Sequence, residues 1–219
     1  MGIKVIITGS TGMVGEGVLF ECLENPAVSQ VLIVNRRHYS LSHPKLQECI
    51  IPDFLNLDEF TEKLTGYDAC FFCAGVSSAG MKEAEYHHIT YDITINFAKK
   101  LASLNPQMIF TYVSGAWTDS TEKGKSMWAR VKGKTENDLM RLPLKRAYNF
   151  RPGFMKPASG QKNIKGLYKP IIILYPLLNM LFPNFVLTMH EVGRAMINCV
   201  LKGYPKQILE VKDIKALAK

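Results

Sequence analysis

A glycine-rich run near the start of the chain has the composition of a phosphate-binding turn. Residues 8–15 carry glycines at positions 9, 12 and 15, after a short apolar run and before apolar residues at helical spacing. In a strand–turn–helix unit, such glycines permit a tight turn, close approach of a pyrophosphate and close packing of helix on sheet. The helix N-terminus adds N–H groups and a positive dipole end. The residues expected to contact the dinucleotide are Gly9, Ser10, Thr11, Gly12, Met13 and Val14.

The residues after the second predicted strand indicate which dinucleotide binds. An NAD-binding protein usually has Asp or Glu there, which holds the ribose 2′-hydroxyl. This chain has Asn35, Arg36 and Arg37 instead. A guanidinium can bind a 2′-phosphate through two parallel hydrogen bonds, so NADP(H) is the expected cofactor; the alternative is that both arginines only face solvent. Asp53 is placed to accept a hydrogen bond from the adenine amino group, with Phe54 beside it.

Hydrophobic periodicity predicts strands and helices in alternation. Apolar segments without clean alternation indicate buried parallel strands covered by helices on both faces. Right-handed crossovers then give the strand order 3-2-1-4-5-6, an α/β fold with a doubly wound parallel sheet of the Rossmann type. The predicted strands are 4–8, 30–34, 46–51, 69–73, 108–113 and 147–150, and the predicted helices are 13–23, 57–64, 83–104 and 126–141.

The composition changes after Arg151-Pro152-Gly153. Residues 167–187 are strongly apolar but contain Lys169 and three prolines, at 170, 176 and 183. A membrane-spanning helix of about 20 residues should not be interrupted this often. We expect a pocket wall or a homodimer contact, with membrane-surface contact as the alternative.

A capping box predicts the next helix. Thr188 would cap it, and Glu191 stands three residues on. This helix should end near residue 202, before a last strand over 208–211 and a closing helix from 213. The whole chain, 1–219, is expected to be a single domain, in which residues 154–187 and 204–219 form a small C-terminal lobe on the substrate side.

Charge and cysteine usage exclude several classes of function. The chain has 27 Lys and Arg against 19 Asp and Glu, a formal net charge of +8. The basic residues are spread along the chain, which favours attraction of an anionic cofactor, and we expect no nucleic-acid partner. Five cysteines in apolar contexts indicate buried thiols in a reducing compartment. Cys70 and Cys73 should point to opposite faces of a strand. No histidine has a set of Cys, Asp or Glu residues at the spacing typical of metal ligands, so no metal site is expected.

Several motifs together resemble the short-chain dehydrogenase/reductase superfamily, in its atypical or extended branch, over nearly the whole chain. The glycine spacing matches that branch. Residues 112–115 resemble the strand that ends in the catalytic serine, and residues 128–136 are similar to bacterial epimerase-like proteins related to the Tat-interacting metastasis suppressor. The resemblance implies two further cofactor contacts. One is the turn under the adenine and ribose (Cys73, Ala74 and Gly75), and the other is the turn beside the nicotinamide (Pro152, Gly153 and Phe154, after Arg151).

The superfamily's reaction centre is a serine with Tyr-x-x-x-Lys on a helix. The resemblance implies that Ser114 hydrogen-bonds the substrate oxygen and that Lys132 binds the nicotinamide ribose. Trp128 occupies the position of the tyrosine. An indole N–H keeps its proton near neutral pH, so Trp128 can orient a carbonyl but cannot act as acid or base; alternatively, its ring only packs in the pocket.

This departure leaves three outcomes open. Tyr112, two residues before Ser114 and expected on the same side of the strand, could move the proton, or water could. A flavin-like or quinone-like hydride acceptor would need no protein acid. The chain could also bind NADP(H) and report its redox state without chemistry.

We expect an NADP(H)-dependent oxidoreductase or epimerase-like enzyme acting on a small carbonyl or hydroxyl compound. The short region after Gly153 leaves little room for a domain that binds a nucleotide sugar. A catalytically silent NADP(H) sensor is the alternative. Because the first strand begins at residue 4, no room for a signal peptide is expected before it, and a cytoplasmic protein is expected.

Overall fold

A seven-stranded parallel sheet organises the chain. The computed structural model describes residues 2–162 and 169–219. The main sheet has the order β3-β2-β1-β4-β5-β6-β9, and β7 and β8 form a separate parallel pair. This order confirms the predicted doubly wound sheet and adds the last strand to its edge. The strands are β1 (Ile3–Thr8), β2 (Val28–Asn35), β3 (Leu46–Ile50), β4 (Ala69–Phe72), β5 (Ile109–Val113), β6 (Arg146–Arg151), β7 (Phe154–Lys156), β8 (Val186–Thr188) and β9 (Ile208–Glu210).

Helices cover both faces of the main sheet. They are α1 (Met13–Glu24), α2 (Thr61–Leu64), α3 (Glu83–His87), α4 (Ile93–Leu104), α5 (Met127–Leu139), α6 (Lys169–Leu181), α7 (Met189–Leu201) and α8 (Val211–Leu217). A 3-10 turn at Asp58–Phe60 precedes α2, and a π-helical turn at His88–Asp92 separates α3 from α4. The long helix predicted over 83–104 is therefore interrupted at this turn.

Alternate residues of each buried strand enter two different cores. In β1, Val5 and Ile7 join the cluster that includes α1, α7 and α8, whereas Ile6 joins the cluster that includes α4. Cys70 lies in the second cluster and Cys73 packs against the first, which confirms that these two thiols are on opposite sides of the sheet. Both faces of the sheet are thus apolar, as a central parallel sheet requires.

The C-terminal part contains elements that the sequence predicted closely and three that it did not predict. The Thr188 hydroxyl accepts a hydrogen bond from the Glu191 N–H, and the Glu191 carboxylate accepts one from the Thr188 N–H, so the capping box is confirmed. The β7–β8 pair and α6, which contains Pro176, were not predicted. Residues 163–168 of the expected lobe lie outside the described residues. Among the helices of the described chain, none is long and apolar enough to cross a membrane.

Candidate functional site

The turn after β1 has a geometry that only glycine accommodates at two positions. Gly9 has φ +71°, and a Cβ there would lie 2.7 Å from the Ala74 Cα. A Cβ on Gly15 would collide with the Gly9 carbonyl oxygen. The Gly12 N–H donates to that carbonyl at 2.9 Å, and no side chain in the described chain caps α1. The first N–H groups of α1 therefore have no side-chain acceptor in the described chain, and they can donate to an anion beside the turn.

A cavity of about 780 Å³ lies at the carboxyl ends of β1, β2 and β4. This is where the strand order reverses, the position at which doubly wound sheets bind dinucleotides. Its volume suits a small-molecule ligand. The backbone of the glycine turn, which has no side chains at Gly9 and Gly12, forms part of its wall. Of the residues predicted to bind the cofactor, the cavity is lined by Gly9, Thr11, Gly12, Arg36, Arg37, Asp53, Phe54, Cys73, Ala74 and Gly75.

Three predicted cofactor residues lie below the turn instead. Ser10 is fully buried, and its hydroxyl accepts a hydrogen bond from the Asn35 side-chain amide at 2.8 Å. Met13 and Val14 pack against the core on the α1 side of the sheet. The side chain of Ser10 thus joins the glycine turn to the end of β2 and does not line the cavity.

The far end of the cavity holds the charged residues. Arg36 and Arg37 are exposed at its rim. The two carboxylate oxygens of Asp53 accept hydrogen bonds from the Leu55 N–H at 2.9 Å and from the Asn56 side-chain amide at 2.5 Å. The buried Phe54 ring stands 5.3 Å from the Phe97 ring, centroid to centroid, and anchors this wall in the core.

Ser114, at the end of β5, faces α5 and is buried. Its hydroxyl donates to the Glu136 carboxylate at 2.5 Å and lies 3.0 Å from the Phe150 carbonyl oxygen. A serine hydroxyl has one proton to donate. In this structure that proton is engaged by the two acceptors, the Glu136 carboxylate being the nearer, so the hydroxyl cannot donate to a substrate oxygen without changing its partner.

Lys132 stands one helical turn before Glu136 on α5. Its ammonium donates to the main-chain carbonyl oxygen of Ser114. Burial lowers the pKa of Lys132 to about 8, although the charge of Glu136 favours the ammonium. Trp128 is half-buried one turn earlier on the same helix.

Glu136 and Arg151 form a buried ion pair that the sequence motifs did not indicate. Glu136 is fully buried, and Arg151 donates from Nε at 3.0 Å and from a terminal nitrogen at 2.5 Å. Arg151 also donates to the Ser120 hydroxyl and pairs with Glu210 on β9. Burial disfavours the guanidinium charge, but the bonds to Glu136 outweigh this, and the pKa of Arg151 is raised. The available signal was a charged residue four positions after Lys132 on the same face of α5.

Tyr112 lies in the core. It is 2% exposed, its ring centroid is 6.3 Å from that of Phe72, and burial raises its pKa well above the ordinary range. Tyr112 and Ser114 are two residues apart and therefore share a side of β5, the side on which Ser114 bonds Glu136 of α5. The expectation that Tyr112 could move a proton in the pocket is corrected, because its hydroxyl does not reach the surface.

The predicted nicotinamide turn connects two loops. The Pro152 carbonyl accepts from the Ala116 N–H, and the Phe154 N–H donates to the Phe185 carbonyl, both at 2.9 Å. A Cβ on Gly153 would collide with that same carbonyl oxygen. The turn therefore brings the segment after β5 next to the segment before β8, at the same edge of the sheet as the cavity.

Within the residues described, no three His, Cys, Asp or Glu side chains are grouped so that they could hold a metal ion. His190, in the first turn of α7, has its Nδ1 2.8 Å from a Glu21 carboxylate oxygen. All five cysteines are free thiols.

Comparison with known families agrees with this geometry. The model of the NAD dependent epimerase/dehydratase family matches residues 5–123, more than half of the chain and the part that contains the cavity. The chain belongs to this family.

Two curated relatives of this epimerase/dehydratase-family chain are fungal. The leucinostatins biosynthesis cluster protein T of Purpureocillium lilacinum is 30% identical over 142 residues, which are 63% of this chain and 51% of that protein. The protein fmp52 of Aspergillus fumigatus is 27% identical over 166 residues, which are 73% of this chain and 68% of that protein. The chain thus spans about half the length of the first relative and about two thirds of the second.

Solved structures give the same fold. The enzyme WbmF of Bordetella bronchiseptica, solved with NAD+, superposes with a TM-score of 0.68 at 15% identity, covering 99% of this chain and 76% of that chain. This similarity confirms the Rossmann-type architecture.

The comparison also corrects one expectation. The fungal relatives called fmp52 are named as mitochondrial proteins. The expected cytoplasmic location is therefore wrong for this epimerase/dehydratase-family chain, because it relied only on the few residues before the first strand.

Proposed function

We propose that this chain binds NADP(H) in the cavity at the carboxyl ends of β1, β2 and β4, and acts as an NADP(H)-dependent oxidoreductase or epimerase-like enzyme on a small carbonyl or hydroxyl compound. The observation that carries the proposal is that a glycine turn, an uncapped helix N-terminus and two arginines border one cavity. Together they offer donors to a pyrophosphate and to a further phosphate.

The choice of NADP(H) over NAD(H) depends on the end of β2. Asn35 is the last residue of β2, and Arg36 and Arg37 follow it on the cavity rim. Asp53 also borders the cavity, but both of its oxygens already accept hydrogen bonds within its own turn. Arg36 and Arg37 are therefore proposed to bind the 2′-phosphate. NAD(H) is the competing outcome, since the structural neighbour WbmF was solved with NAD+.

Lys132 is proposed to have two roles: it binds the nicotinamide ribose, and it exchanges a proton with the substrate. The bound nicotinamide would supply or accept a hydride. Lys132 stands beside the end of β5, and its pKa of about 8 allows its ammonium to give up a proton near neutral pH. Trp128 can hydrogen-bond a substrate oxygen through its indole N–H. Ser114 is proposed to orient the substrate after its hydroxyl leaves Glu136.

Fluorescence titration with NADPH and NADH tests the cofactor assignment. Excitation of Trp117 and Trp128 should give energy transfer to bound dihydronicotinamide. We expect NADPH to bind about tenfold more tightly than NADH, a difference of about 1.4 kcal/mol. The Arg36→Ala/Arg37→Ala variant should lose this preference, whereas Arg141→Ala, which removes an exposed arginine just after α5, should keep it. An unchanged preference in the double variant would contradict the phosphate assignment.

The second candidate is a catalytically silent NADP(H)-binding protein that docks a partner according to the state of the cofactor. It is favoured by the bond from Ser114 to Glu136, which engages the serine proton, and by Trp128 at the tyrosine position. Under this hypothesis the site would keep its contacts to the cofactor but would lack a general acid that protonates the substrate.

Two substitutions separate these candidates. If Trp128→Tyr creates NADPH-dependent reduction of generic carbonyls that the natural chain does not perform, the silent protein is favoured. If the natural chain reduces such compounds and Ser114→Ala abolishes the activity while NADPH binding persists, the enzyme is favoured. Far-UV circular dichroism should show that both variants are folded.

A further inference from the structure

The formal net charge of the chain resides in one stretch. Residues 139–190 contain eight of the 27 Lys and Arg residues and none of the 19 Asp and Glu residues. The remaining 19 cations and 19 anions balance, so this stretch carries the whole charge of +8. The basic residues are spread along the chain as expected, but the acidic residues are absent from the segment that contains β6, β7, α6 and β8.

The helix in this stretch presents apolar side chains outward. Its half-buried positions are Ile172, Tyr175 and Leu178, at helical spacing. The opposite face and the residue after the helix are apolar as well, with exposures from 48% for Leu177 to 71% for Met180. We call this set the outer face of α6: Leu174, Leu177, Met180, Leu181 and Phe182. A contiguous apolar patch of this kind usually marks an interaction site.

Lys215 and Trp117 lie near the C-terminal end of α6, whereas Lys156 packs on Tyr175, at a half-buried position of the helix. The Lys156 ammonium lies 4.9 Å from the ring centroid of Tyr175, and the Lys215 ammonium donates to the Pro183 carbonyl at 2.8 Å. Trp117 is 74% exposed, and its ring centroid is 5.1 Å from that of Phe185. Lysines and tryptophan around an apolar helix face are typical of segments that lie in a membrane interface.

We propose that the outer face of α6 docks on a membrane surface that carries anionic lipids, with the helix lying in the plane of the interface. A helix of 13 residues is about 20 Å long, shorter than the roughly 30 Å hydrocarbon core, and Pro176 lies inside it. As the structure describes it, α6 is therefore too short to cross the bilayer. Its apolar residues would enter the headgroup boundary while the nearby lysines contact anionic headgroups.

The charge around the outer face of α6 favours a lipid surface over a second copy of this chain as its partner. A two-fold symmetric dimer places the same patch on both sides of the interface. Here that would bring the lysines of one copy against those of the other. Residues 139–190 contain no Asp or Glu to pair them, and Glu191, whose charge reaches Tyr175, is held in the capping box with Thr188. An anionic membrane supplies the missing charge.

Docking in this way would place the proposed substrate end at the membrane. The Phe185 carbonyl, next to the Trp117 ring, accepts from the Phe154 N–H of the nicotinamide turn. The Phe185 N–H donates to the carbonyl of Phe182, the last residue of the outer face, at 2.9 Å, so Phe185 connects the outer face to the nicotinamide turn. An apolar substrate dissolved in the membrane would have a short path to the cavity edge.

Flotation with lipid vesicles tests this proposal. Vesicles of phosphatidylcholine alone are compared with vesicles that also contain phosphatidylglycerol, at low and high salt. We expect binding to the anionic vesicles about tenfold tighter, or more, and weaker at high salt. Absence of binding to either kind, or equal binding to both kinds, would overturn the proposal.

Matched variants assign the binding to α6. Leu177→Asp/Met180→Asp should weaken binding to the anionic vesicles about tenfold or more, since two apolar side chains no longer enter the interface. Leu201→Asp is the control, because Leu201 is 47% exposed and lies at the far end of α7, about 18 Å along that helix from β8. Circular dichroism checks that both variants fold. Equal losses in both, or a wild-type dimer that only the double variant abolishes, would overturn the assignment to lipid.

Discussion

Trp128, Lys132 and Glu136 follow one another at four-residue spacing on α5, and their surroundings differ sharply. Glu136 is fully buried and accepts from both Ser114 and Arg151. Lys132 donates to a main-chain carbonyl and lies within reach of the charge of the neighbouring carboxylate. The desolvated ammonium is thus the group on this face of α5 that can release a proton most readily near neutral pH.

The protonation of Lys132 can be measured without knowing the substrate. Burial disfavours its ammonium, so the pKa falls from 10.5 to about 8 and the amine becomes reactive at lower pH than usual. Competitive acetylation followed by mass spectrometry should show labelling of Lys132 that rises with pH around a midpoint of about 8. The exposed Lys123 provides the reference for reagent reactivity, and saturating NADPH should protect Lys132. A midpoint near 10.5 would contradict the desolvated site.

Residue identities could be predicted from the sequence more readily than their hydrogen-bond partners. The glycine turn is a local pattern, and its place on the cavity follows from strand–turn–helix geometry. The bond from Ser114 to Glu136 joins residues 22 positions apart, and Arg151 contacts side chains from three separate segments. Such contacts depend on how α5 docks on the sheet, which no short sequence pattern specifies.

At the scale of elements, α5 is attached to the sheet by close packing and by the buried ion pair. A Cβ on Gly133 would collide with the Asp119 carbonyl oxygen, so the helix approaches the loop after β5 closely. One turn later, Glu136 bonds Ser114 at the end of β5 and Arg151 at the end of β6. Arg151 in turn contacts Glu210 on the edge strand β9.

Glu136→Gln should therefore destabilise the protein strongly. The substitution keeps the size of the side chain but leaves the buried guanidinium without its main counter-charge, at a cost of about 3 kcal/mol. Urea unfolding would measure this loss. Glu62→Gln, at an exposed position on α2, is the matched control and should change the free energy of unfolding by less than about 0.5 kcal/mol. Equal effects of the two substitutions would contradict a structural role for the pair.

Elements with strong local signals were predicted well, and the others were not. The strand over 208–211 and the capping box at Thr188 are close to the observed β9 and α7. In contrast, β7 and β8 have three residues each, too few for a recognisable pattern, and they pair only because the chain returns from α6. Prolines in residues 167–187 argued against a membrane-spanning helix, and they equally concealed a shorter one, whose Pro170 stands in its first turn, where proline is tolerated.

At the scale of the whole molecule, one sheet carries both halves of the proposed site. The cavity lies at the ends of β1, β2 and β4, while Ser114 and Arg151 end β5 and β6 of the same sheet. The two hydrophobic clusters lie on opposite faces of this sheet and both include residues of β1 and β4. We therefore propose that residues 1–219 fold as one cooperative unit.

Calorimetry with and without NADPH tests whether the chain unfolds as one cooperative unit. NADPH at about 100 times its dissociation constant should stabilise the folded state by about 2.7 kcal/mol. For a chain of this size, that raises Tm by roughly 5–10 °C. Because β5, β6 and β9 share the sheet with the cavity, the single unfolding transition should move as a whole, and the Arg36→Ala/Arg37→Ala variant should move less. Two transitions, of which NADPH shifts only one, would show that the cofactor half and the C-terminal half unfold as separate units.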